Sequence, residues 1–211
     1  MTGLIKKIIY LLTRPYVILV IGQRADFILD SFKKISRNDF KIKGFPKKAL
    51  TFAIGKKDIL AYSMVKPGKD DLGFVIRSSR FPVIVVADID GGTLDSEEKQ
   101  KELTKIIELA NRIKKEGVVV VNFDAGIIRR MKSEVKVQII SFGLQEGADI
   151  LATDVNIDRE GANFKISYYG YTVPFWIKNI AKQEDLYPVL AAIGAGIGSK
   201  LNLVEISQAL K

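Results

Sequence analysis

Few residue types in this 211-residue chain can do chemistry, because it contains no Cys and no His. That excludes disulfides, thiolate nucleophiles, the usual imidazole base and the commonest zinc ligand. Carboxylates, Lys, Arg, Tyr and backbone groups remain, and they gather in four places. Gly22-Gln23-Arg24-Ala25-Asp26-Phe27 separates an apolar run from a helical periodicity. A loop so placed holds phosphate with backbone N–H groups and usually a Lys, but this one has no Lys and carries Asp26. Asp88, Asp90 and Asp95 end a second apolar run. They are oxygen donors suited to a divalent cation, or else a turn and a helix cap. Asn122 and Asp124 end a third run and would face the same crevice, with turn chemistry as their simpler role. Gly194, Gly196 and Gly198 have a phosphate-loop look but fall within or at the end of a helical stretch, which favours helix packing and C-capping. No metal site is assigned.

The elements that must position these residues follow from hydrophobic periodicity. A helix over Leu4–Leu12 ends before Arg14-Pro15, and Tyr16–Ile21 is a buried strand leading through the Gly22 loop into a helix. Further strands are expected at Ala49–Ile54, Asp58–Met64, Val83–Ile89, Val118–Val121 and Val137–Ser141. Helices are expected over Leu72–Ser79, Ser96–Lys115 (with Gly117 at its C-terminal end) and Ile127–Met131. Alternating strands and helices argue a mostly parallel sheet with helices on both faces. Near residue 145 the pattern changes to an antiparallel meander, Ala148–Ile157, Ala162–Tyr169 and Tyr171–Trp176, with a turn at Gly170. A helical pair, Pro188–Ile197 and Leu203–Leu210, follows. The expectation is one α/β unit: a parallel core over 3–143, antiparallel strands over 144–177 and helices over 178–211.

The net charge of +9 is concentrated in residues 1–50, which hold eleven Lys/Arg against three Asp. A basic end attracts anionic lipid, nucleic acid or acidic protein. No aromatic residues interleave with the cations in a nucleic-acid-reading pattern, so nucleic acid is not expected. Lys6, Lys7, Arg14 and Pro15 interrupt the first apolar stretch, leaving it far short of the roughly 20 residues of a membrane span. A cytoplasmic protein is expected, with peripheral membrane contact through residues 4–12 left open.

Several strings in this order resemble the central ATP-binding domain of the Mur ligases, which add amino acids or dipeptides to the UDP-muramyl precursor of peptidoglycan. The resemblance is nearest to the branch that adds the terminal dipeptide. SFGLQEGADILA (141–152) is similar to that family's FGL-x-x-GAD string. YPVLAAIGAGIGSKLNLVEISQALK (187–211) is similar to its LAAIA helix and the helix that follows. EGVVVVNFDA (116–125) and VVADIDGGTLD (85–95) resemble two of its strand ends. The resemblance implies a three-layer Mur-ligase-like central domain over nearly the whole chain. The family's N-terminal substrate domain and C-terminal domain have no counterpart in it.

The resemblance also implies where the family's site residues fall, and there the sequence departs. The Gly-Lys-Thr/Ser that cradles ATP matches Ala25, Asp26 and Phe27. Replacing a cation by Asp26 sets like charges together, about 4 kcal/mol for unit charges at ~4 Å in an effective dielectric of ~20. The metal Glu matches Ser63, the metal His matches Thr93, and the carbamylated Lys falls at Ile106, beside Lys105. The His-Asn pair and the Asn that contact nucleotide match Glu184-Asp185 and Pro188. Altered together, these positions imply a fold kept without ATP chemistry, hence no cofactor and a binding or structural role, with a cell-wall ligase component among the candidate partners. A working ATP- and Mg-dependent ligase with an unconventional site is the alternative. A basic peripheral membrane or nucleic-acid module is the third. Tyr168, Tyr169, Tyr171, Phe175 and Trp176 exceed what three short strands can bury, which implies a protein partner or self-association.

Overall fold

Val17, Ile18, Leu19, Val20 and Ile21 are all at most 1% exposed, so the first strand is covered on both faces. Burial of these five side chains is worth on the order of 10 kcal/mol, an upper bound set by the extended-chain reference. The computed structural model describes residues 2–22, 24–36, 41–43, 58–64, 71–88, 97–114 and 116–211. Strand β1 (Tyr16–Gly22) lies between β3 (Asp58–Met64) and β4 (Phe81–Asp88), parallel to both. Beyond them lie β2 (Lys41–Lys43) on one side and β5 (Val118–Asn122) and β6 (Gln138–Gly143) on the other.

The antiparallel strands continue this sheet. β7 (Ile150–Ile157) pairs in parallel with the last two residues of β6, Phe142↔Ile150 and Gly143↔Leu151, then runs on past its end. β8 (Gly161–Tyr168) and β9 (Tyr171–Lys178) follow antiparallel, giving, among the described residues, one nine-stranded sheet in the order β2-β3-β1-β4-β5-β6-β7-β8-β9. The β8–β9 turn places Tyr169 and Gly170 at φ 46° and 81°, the positive pair of a tight hairpin. Of the aromatic cluster, Phe175 is buried and stacks on Phe164 at 5.6 Å, while Tyr169 and Tyr171 are each 75% exposed.

Helices form the two outer layers. Ile18, Val20, Val83, Val85, Val118 and Val120 pack on α2 (Ala25–Ile35), α6 (Leu186–Gly198) and α7 (Leu203–Ala209). The alternate strand residues Val17, Leu19, Ile21, Ile84, Val86, Val119 and Val121 share a core with α1 (Thr2–Thr13), α3 (Asp71–Ser78), α4 (Glu97–Ala110) and α5 (Ile128–Glu134). Period-2 strand geometry divides one apolar run between two cores.

Three expectations change. The helix after residue 96 stops at Ala110, short of Lys115, at Asn111, whose backbone N makes the last i→i−4 bond of this helix, to Ile107 O (2.9 Å). The Asn111 side-chain nitrogen donates to the Glu134 carbonyl (2.9 Å) and its oxygen accepts from Lys136 N (3.0 Å), while the chain tightens through Ile113 N to Ala110 O. Gly117 therefore does not cap that helix. It is needed for space, since a Cβ there would stand 2.1 Å from Ile113 Cγ2 and 2.8 Å from the Pro82 carbonyl. The glycine-rich stretch is helical through Gly198, and the reversal comes at Lys200 (φ 67°), where Leu201 N bonds Gly196 O and Lys200 N bonds Ile197 O. That is a Schellman end with Lys in the usual glycine position. The short β2 was not foreseen, and the strand expected at Ala49–Ile54 lies outside the described residues.

Candidate functional site

The order in which β1 is flanked by β3 and β4 puts a crevice at the C-terminal edge of the sheet, where open α/β folds bind ligands. It has a volume of about 470 Å³ and is lined by Arg24 after β1, Ala87 in β4, Asn122 at the end of β5, Asp124 and Ala125 after it, and Lys182, Glu184, Asp185, Tyr187 and Pro188 at the head of α6.

Its floor is built from Asp124. The carboxylate accepts from Leu144 N (2.7 Å) and Gln145 N (3.2 Å) of the β6–β7 loop and from the Tyr187 hydroxyl (2.9 Å). Asn122 Oδ1 accepts from Asp124 N at 3.0 Å, an Asx turn that aims the carboxylate. Gly143 leaves the room, since a Cβ there would lie 2.5 Å from Asp124 Oδ1. Gly147, at φ 103°, would meet the Phe123 ring at 2.8 Å if it carried a Cβ. Asp149 accepts from Ser141 N (2.7 Å) and Ser141 Oγ (2.6 Å). The SFGLQEGAD string is thus a closed set of loop contacts whose purpose is to hold Asp124 and the loop together. Burial, and next the hydrogen bond to Asp124, push the Tyr187 hydroxyl well above the ordinary tyrosine range.

The roof is an ion pair. Gly22, at φ 123°, turns the chain out of β1, and Arg24 (φ 56°) is the N-cap residue of α2 without a side-chain cap bond. Its Nη1 reaches Asp185 Oδ1 at 2.8 Å across 161 residues of sequence. The hydrogen bond from Arg24 is the largest influence on the Asp185 carboxyl and holds it below the ordinary range; burial opposes this, and the backbone at Ala181 and the Lys182 charge assist it. Asp26 lies exposed in the first turn of α2, so a carboxylate already complements the positive end of that helix. The lining holds Arg24 and Lys182 against Asp124, Glu184 and Asp185, a net negative set.

Of the residues singled out in the sequence, Arg24, Asn122, Asp124, Glu184, Asp185 and Pro188 share this crevice. Ala25 is buried and Phe27 is 47% exposed; neither lines it. Ile106 is fully buried in the α4 core, whereas Lys105 faces solvent. Ser63 sits in β3 opposite Val20 and Asp88 in β4 opposite Gly22, with side chains outside the described residues, as are Gln23, Asp90 and Thr93 altogether. Tyr187 and Lys182 were not foreseen; Tyr187 precedes Pro188 in a string quoted above, but its partner is 63 residues away. Among the described residues no group of three acidic side chains gathers as a metal site. A magnesium–triphosphate does not fit the described lining, which is net negative and has Arg24 turned onto Asp185.

No family model matches the chain. Its curated relatives are Mur ligases. The UDP-N-acetylmuramate–L-alanine ligase of Vesicomyosocius okutanii subsp. Calyptogena okutanii is 25% identical over 155 residues, 72% of this chain and 32% of that enzyme. Among solved structures, MurF from Acinetobacter baumannii superposes with a TM-score of 0.75 at 16% identity, over 99% of this chain and 49% of that one. MurF ligase from Thermotoga maritima, solved with ADP, gives 0.73 at 11% identity, over 97% and 51%. The fold is therefore that of the Mur ligase central domain. The chain spans about a third of the length of that curated relative. Sequence points to L-alanine ligases and structure to MurF, so the kinship is with Mur ligases as a group.

Proposed function

We propose, from its kinship with Mur ligases, that this chain is a non-catalytic Mur-ligase-like domain with a binding or structural role in peptidoglycan-precursor synthesis. The relatives are named as ligases, and the fold is theirs. The observation that carries the proposal is the Arg24–Asp185 ion pair. The resemblance matches Asp185 to a nucleotide-contacting residue and puts Arg24 in the loop just before the positions it matches to the ATP-cradling residues. Here they bind each other, so an internal guanidinium–carboxylate contact takes the place of a ligand contact. Tyr169 and Tyr171, exposed at the hairpin tip, are the kind of surface a binding role would use.

Titration calorimetry with Mg-ATP and with UDP-muramyl peptides tests this. The expected result is no saturable heat with Mg-ATP. Saturable micromolar binding that disappears in Arg24→Ala would establish the opposite reading, a ligase with an unconventional nucleotide site. Binding of a UDP-muramyl peptide alone would keep the non-catalytic role and name its ligand.

A further inference from the structure

The opposite end of the sheet carries a second feature, independent of the crevice. Strands β1, β4, β5 and β6 start side by side, with Tyr16 beside Phe81, Val83 beside Val118 and Val118 beside Gln138. The residues just before these starts therefore form one row. In it Arg14, Arg80 and Lys136 are exposed, with Glu116 a carboxylate among them, and Lys114 is exposed in the turn that leads to β5. Arg80 is fixed through its backbone N to the Pro15 carbonyl (3.1 Å), with its guanidinium 5.9 Å over the Tyr16 ring. Lys200, past the end of α6, adds its ammonium 4.9 Å over the Phe81 ring, and Arg77 adds an exposed cation from the last turn of α3. Glu134, near the row, is held by Arg130 at 2.6 Å.

Helix α1 leads into this row, ending at Thr13 next to Arg14. Tyr10 is its anchor: the ring is buried and the hydroxyl meets Ser79 Oγ at 2.7 Å, at the Arg77–Arg80 end of α3. On the side that Tyr10 does not use, Ile8, Leu11 and Leu12 are 48%, 46% and 81% exposed. Their spacings of three and four residues place them on one helix face, and Arg14 follows two residues after Leu12. An apolar stripe flanked by cations, on a helix too short to span, is the pattern of a helix that lies in a bilayer interface. Among the described residues no helix is long and apolar enough to cross.

We propose that this edge docks on an anionic lipid surface, with Ile8, Leu11 and Leu12 entering the acyl boundary and the cation row facing the headgroups. Charge complementarity selects the lipid. A nucleic acid would use the cations and leave the three apolar side chains idle.

Vesicle flotation of the full chain is the test, with phosphatidylcholine alone and with phosphatidylglycerol added. The protein is expected to float with the anionic vesicles only, and the binding to fall about tenfold or more from low to half-molar salt. Leu11→Gln with Leu12→Gln should lower it about tenfold, and Arg77→Gln about fivefold. Because the chain has no Cys, Leu12→Cys takes a single environment-sensitive dye, whose emission should shift to the blue on anionic vesicles. An unchanged melting midpoint shows that the exposed-site variants fold, and the Arg77 variant serves if the leucine pair does not. Equal flotation with neutral vesicles, no flotation, leucine variants that bind like the parent, or duplex-DNA binding in place of vesicle binding would each overturn the proposal.

Discussion

Removing the Asp124 carboxylate is expected to be the most damaging single change at the crevice. In Asp124→Ala, Leu144 N, Gln145 N and the Tyr187 hydroxyl all lose their acceptor. At about 1 kcal/mol for each, the value of an ordinary hydrogen bond and below that of one to a buried charge because the site is half-exposed, the loss is about 3 kcal/mol. For a chain of this size that lowers the melting midpoint by about 6–12 °C. Asp124→Asn can keep an oxygen toward Leu144 N and Tyr187 and present its NH2 to Gln145 N, which predicts about half the loss. Gly143→Ala should approach the Asp124→Ala value, because its Cβ would fall 2.5 Å from Asp124 Oδ1. Tyr187→Phe alone should cost about 1 kcal/mol, and nothing more once Asp124 is already Ala, a coupling of about 1 kcal/mol. Urea unfolding of the four variants and the double variant measures all of this. An Asp124→Ala loss below about 0.5 kcal/mol, or additive Asp124 and Tyr187 effects, would refute the clamp.

Two further predictions concern acid and packing. The Asp185 carboxyl is held below its ordinary value of 3.8 by Arg24, so the stability it contributes is complete above that value and is lost as the pH falls through the lowered one. Asp185→Asn should flatten the acid limb of stability against pH, measured by urea unfolding across that range, and an unchanged limb would show that the pair contributes nothing there. Gly194→Ala would gain about 1 kcal/mol of helix propensity in an exposed helix, but its Cβ would sit 2.5 Å from Val120 Cγ1 in the core. A net loss of about 1–3 kcal/mol is expected, with partial recovery in Gly194→Ala/Val120→Ala by thermal melting.

Most of the frame was legible in the sequence because it depends on local signals. Continuous β-branched runs such as Tyr16–Ile21 and Val83–Ala87 can only be strands covered on both sides, and the helical periodicity after Gly22 gives α2. Local signals failed where a distant group intervened. Nothing near Asn111 says that its side-chain amide will bond Glu134 and Lys136 at the end of α4. Nothing near Gly117 says that Ile113 and Pro82 leave no room for a side chain.

The candidate site divides in the same way. Sequence by itself determined which side chains stand after each strand, that no His or Cys is among them, and that the stretch from Gly22 to Phe27 carries Asp26 and no Lys. Only the tertiary structure decided what those side chains do. Arg24 and Asp185 are 161 residues apart and Asp124 and Tyr187 are 63 apart; each pair meets because the strand order sets the ends of β1 and β5 beside the head of α6. A hydrogen bond acts only over about 3 Å, so which charges neutralise each other is a property of topology and cannot be read from neighbours along the chain.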